Sequence, residues 1–77
     1  MKYLGIVEYD RIVNGKTVQI GGYLYKTVIF NSENNENAKQ KYEKYCEETH
    51  GYIFNLYPMT EKVLFEKQNL IEIAEKI

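Results

Sequence analysis

Cys46 and His50 are the one pair of residues in this sequence with a catalytic flavour. They stand at i and i+4, a spacing that puts both side chains on one face of a helix. A cysteine and a histidine so placed can form an activated thiol nucleophile or half of a zinc site. Either needs a third group to orient it or complete it, and the chain has no second cysteine or histidine. The same residues have a plainer reading. Cys46 falls in an apolar stripe, where a thiol packs as a small hydrophobe. His50 closes the same segment, where a histidine favours the helix dipole and bonds terminal carbonyls. With one histidine a Ser/His/Asp set is excluded, and Gly21-Gly22-Tyr23 matches neither a dinucleotide nor a Walker glycine pattern. Glu8 and Asp10 share a strand face but read, with the other carboxylates, as solvated surface. The expectation is a protein that is not an enzyme, with no catalytic residue, metal ligand or cofactor.

The elements that would carry these residues are legible. Asn35 to His50 is the clearest helix, with Ala38, Tyr42, Tyr45, Cys46 and Thr49 forming one apolar stripe. Cap formers (Asn31, Ser32, Asn34, Asn35) precede it, and Gly51 follows as a natural C′ residue. Its other face alternates lysine and glutamate at i, i+4 spacing, the pattern of a solvated surface. Before it, Lys2 to Val13 reads as one long strand, followed by Asn14-Gly15, the signature of a two-residue hairpin turn. Such a turn pairs Val13 with Lys16, Arg11 with Val18 and Tyr9 with Ile20. Gly21-Gly22 predicts a bulge or bend in the return strand. Tyr23 to Phe30 is strongly strand-like, with Leu24, Val28 and Phe30 on one face and Tyr23, Tyr25, Thr27 and Ile29 on the other.

After the helix, Tyr52 to Tyr57 predicts another strand, with Tyr52, Phe54 and Leu56 on one face. The C-terminal segment admits two readings. It is either one helix capped by Thr60, with Phe65 pointing away from the apolar face, or a strand over 62–67 followed by a short helix. The fold class is therefore α+β. A mainly antiparallel sheet, built from a bent hairpin over 2–30, strand 52–57 and one option at 62–67, carries helix 35–50 on one face. A C-terminal helix ends near residue 76.

The 77 residues make one small domain, 1–77. A net charge of −1 argues against phosphate binding by bulk electrostatics. No apolar h-region and no spanning run of about 18 residues is present, and a lone cysteine fits a reducing compartment, so the expected location is the cytoplasm. A short chain without disulfides makes a homodimer an option.

The odd feature is eight tyrosines beside three phenylalanines and no tryptophan. Tyrosine, apolar in body and polar at its tip, is suited to interfaces. Tyr23, Tyr25, Lys26 and Tyr3 are the expected partner-binding residues. The expected function is a regulator, adaptor or inhibitor that occupies a protein partner's surface. The composition is like that of proteins from AT-rich bacteria and their phages, which suggests a phage or mobile-element accessory protein. The alternatives are a nucleotide-binding oligomer with a tyrosine-lined site and a single-strand nucleic-acid binder that stacks bases on sheet tyrosines.

Overall fold

The computed structural model describes residues 1–13, 15–18 and 24–77, with 12, 13, 17 and 18 described by backbone alone. The order is β1 (Lys2–Tyr9), β2 (Arg11–Val13), β3 (Lys16–Val18), β4 (Leu24–Asn31), α1 (Asn35–Glu48), β5 (Tyr52–Pro58), α2 (Glu61–Glu66), α3 (Gln68–Glu72) and β6 (Glu75–Lys76). The main sheet runs β5-β1-β4-β6, and β2 and β3 form a separate ribbon. The β1 strand is antiparallel to both β4 and β5, whereas β6 joins β4 in parallel. The fold is thus α+β with a mostly antiparallel sheet. Among the described residues no helix is long and apolar enough to cross a membrane.

Alternation sets what each face of the sheet carries. On β1, Tyr3, Gly5 and Val7 face α1, opposite Phe30, Val28 and Lys26 of β4. These apolar residues meet Ala38, Tyr42 and Cys46 of α1 in one buried cluster, against which Tyr9, Tyr45 and Leu56 also pack. The helical stripe is therefore the lid of the core. Leu4 and Ile6 point to the other face and are buried too. There the Thr27 hydroxyl donates to the Leu70 carbonyl at 3.0 Å, which fixes α3 against β4. Both faces of the sheet centre are covered, as two-sided apolar strands require.

Two expectations need correction, and one open alternative is resolved. Tyr9 pairs with Leu24 rather than with Ile20, so the hairpin strand divides at Asp10 into β1 and the ribbon strand β2. Within the ribbon, Val13 does pair with Lys16 and Arg11 with Val18. Of the two readings of the C-terminal segment, the helix capped by Thr60 holds over Glu61–Glu66, with Thr60 accepting from the Val63 amide at 3.3 Å. The C-terminal helix does not continue to residue 76: it breaks at Lys67, ends at Glu72, and the chain then pairs with β4. The outer edge of β4 would otherwise show unpaired backbone groups to solvent. Glu75 reinforces the pairing with an ion pair to Lys26 at 2.5 Å. The double glycine at 21–22 lies outside the described residues.

The end of α1 also differs in detail. The His50 amide donates to the Glu47 carbonyl and the Gly51 amide to that of Cys46, the paired bonds of a Schellman motif. The left-handed residue of that motif is His50, with φ of 59°, and not the glycine. Gly51 is demanded by space: a Cβ there would stand 2.3 Å from Cγ1 of Val7 and 3.0 Å from the Tyr9 ring.

Candidate functional site

The side chains with chemical potential are kept apart. Cys46 is buried, and burial pushes its thiol pKa up, which disfavours the reactive thiolate. His50 is exposed, at a left-handed backbone position. Among the described residues no three His, Cys, Asp or Glu side chains are grouped to hold a metal ion.

Of the tyrosines expected at a contact surface, Tyr3 is core. It is 1 % exposed, stacks on Phe30 with ring centroids 5.8 Å apart, and donates to Oδ1 of Asn35 at 2.6 Å. Its odd position on β1 points it beneath α1, so it presents nothing to a partner. Lys26 lies on that same α1 face. Its ammonium is engaged by Glu75 and stands 5.9 Å from the Tyr45 ring centroid, and the Glu75 hydrogen bond raises its pKa. Tyr23 lies outside the described residues. Tyr25 is the member of the set that faces outward, on the side of the sheet away from α1, and is 55 % exposed.

The neighbour that sequence reading missed is Phe54. Asn55 pairs with Ile6 and Ile53 with Val7, which leaves Phe54 as the extra residue of a β-bulge. The bulge breaks the alternation of β5, so Tyr52, Phe54 and Leu56 do not share a face. Leu56 stays with the core under α1, while the Phe54 ring meets Tyr25 edge-on, centroids 5.0 Å apart, on the opposite face. Tyr52 joins them there, opposite Glu8, and its hydroxyl donates to Oδ2 of Asp10 at 2.9 Å. Tyr25, Phe54 and Tyr52 thus form an aromatic patch across three strands, with Glu8 between its rows and Asp10 at its rim. It begins where the cover from α3 stops, since Thr27, two residues along β4 from Tyr25, still bonds Leu70.

Beneath the patch, Tyr42 holds the bulge in place. Its hydroxyl donates to the Ile6 carbonyl and accepts from the Phe54 amide at 2.9 Å, the two backbone groups that the bulge removes from the ladder. Burial pushes the Tyr42 phenol up to about 12, so it remains a donor at any ordinary pH. The ring lies over Gly5, where a Cβ would come within 2.8 Å of it. No single local sequence signal marks this device. The glycine at 5 and the buried phenol at 42 become meaningful only once register is known.

A groove of about 380 Å³ runs between α1 and β5 on the other face, its floor made by Ile53, Leu56 and Pro58 and its wall by Lys39 and Glu43. Comparison of the chain with protein-family models, with curated proteins and with solved structures finds no match.

Proposed function

We propose that this chain is a non-enzymatic protein-binding module whose contact surface is the Tyr25–Phe54–Tyr52 patch. The observation that carries the reading is the Tyr25–Phe54 ring pair. It leaves 55 % of one residue and 45 % of the other exposed on a sheet face whose centre is otherwise covered. Exposed, preassembled aromatics of this kind are the usual anchors of protein interfaces. Glu8 and Asp10 border the rings, so the partner that fits carries an apolar pocket rimmed by lysine or arginine. The same carboxylates weigh against a stacking platform for nucleic acid or nucleotides, because they repel phosphates.

The test is affinity capture from the native host with the unaltered chain and with Tyr25→Ala and Phe54→Ala, each checked for native circular dichroism. A captured partner should be lost with both variants and retained with Phe65→Ala, which alters an equally aromatic but separate site, 86 % exposed on α2. Capture that is indifferent to Tyr25 and Phe54 would remove the patch from consideration. A labelled single-stranded oligonucleotide should stay unbound at low salt.

A further inference from the structure

The sheet ends on one side at β5, which among the described residues pairs with β1 alone. Natural edge strands are commonly blunted by lysine, by brevity, by a β-bulge or by a proline within the strand. Of these β5 has the bulge at Phe54, whose amide turns inward to the Tyr42 hydroxyl. The β5 strand has seven residues, none charged, and its proline comes only at the last position. Ile53 is 60 % exposed on its α1 side and lines the groove between the two elements. Asn35 and Lys39 line that groove together with Pro58, whereas Glu47 lies with Tyr52 and Ile53 in the adjoining hollow. The α1 helix therefore runs antiparallel to β5, with a lysine toward one end of the strand and a glutamate toward the other.

We infer that β5 is a dimerisation edge, which takes the β5 of a second copy of this chain in antiparallel pairing about a two-fold axis near Asn55. Such an axis exchanges the ends of α1. Lys39 of each copy then stands beside Glu47 of its mate, so the wall of the groove is complementary to itself. Strands pair about 4.8 Å apart and α1 lies over the β5 side of the sheet, which sets the two copies of α1 on the order of 10 to 15 Å apart. Lysine and glutamate side chains span that distance together. Glu43 meets its own mate at the axis, but its 4.0 Å contact with Lys39 of the same chain offsets that repulsion. A net charge of −1 opposes association little. The Tyr25–Phe54–Tyr52 patch is on the other face but shares Phe54 and Tyr52 with β5, so the test uses Lys39 and Glu47 of α1, which lie outside the patch, to keep the two ideas distinguishable.

The experiment is sedimentation equilibrium of the full chain over a hundredfold range of concentration, with circular dichroism as the check on folding. The unaltered chain should dimerise, and more weakly as salt is raised. Lys39→Glu or Glu47→Lys alone should weaken the dimer by about tenfold or more, because each turns both cross-axis pairs into like charges. Both exposed substitutions leave the core untouched. The double variant Lys39→Glu/Glu47→Lys restores opposite charges and should recover the dimer. A chain that is monomeric throughout overturns the inference. So does a dimer indifferent to the single reversals, or one that the double variant fails to restore.

Discussion

Tyr42 shows how much one hydroxyl can hold. It satisfies an acceptor on β1 and a donor on β5 at the one place where the ladder is interrupted. Tyr42→Phe keeps the ring on Gly5 but leaves both backbone groups unpaired, at a cost of about 1–3 kcal/mol. A urea titration that shows the variant as stable as the parent would contradict that role. His50 offers the opposite case. It occupies a left-handed position at φ of 59° that a side chain tolerates poorly. His50→Gly should therefore raise stability by about 0.5–1 kcal/mol, read from the same titration. Neither residue announced its role. The i, i+4 spacing of Cys46 and His50 did not place both in α1: the helix ends at Glu48, and Cys46 is buried whereas His50, at a left-handed position, is exposed. The tyrosines were legible as amphipathic residues. Which of them would be covered depended on contacts from far along the chain: Tyr3 is closed off by Asn35, whereas Tyr25 lies just past the reach of α3.

Elements were easier to read than residues. The α1 stripe of Ala38, Tyr42 and Cys46 is the buried face, and Asn34 caps the helix by accepting from the Asn37 amide at 2.8 Å. Asn34→Ala should cost about 0.5–2 kcal/mol and increase fraying of the first turn, visible as faster amide exchange near Asn37. The junction from α1 to β5 was marked by a glycine, though for a different reason than helix capping alone. Gly51→Ala would force a methyl group into Val7 and the Tyr9 ring, which should destabilise the fold by about 1–3 kcal/mol. Near-native stability in that variant would show that β5 can enter the sheet by another path. The strand faces of β5 were misread because a bulge shifts alternation by one residue and no glycine flags it. The C-terminal segment was ambiguous because its short apolar runs suit either period. It was settled by an event at a distance, the capture of Glu75 and Lys76 by the open edge of β4.

For the whole molecule, buried phenols tie folding to alkaline pH. Burial raises Tyr42 from 10.0 to about 12, and it raises Tyr9 as well, whose hydroxyl shares a 2.8 Å hydrogen bond with Thr49. Between these limits the folded chain keeps protons that the unfolded chain has released. Stability is thus intact below pH 10 and falls as pH rises through the window, by up to about 1.4 kcal/mol per unit for a fully shifted phenol. Urea midpoints should decline between pH 10 and 12, and Tyr42→Phe should remove part of that decline. A flat profile across the window would contradict the shift. The contact of Tyr42 with Gly5 reaches beyond stability into which sequences this fold permits. With a Cβ at residue 5 only 2.8 Å from the ring, the two positions form one unit of inheritance. In a library randomised at both and selected for folded chains, an aromatic at 42 should be recovered with glycine at 5. Larger residues at 5 should return only where the aromatic has been lost.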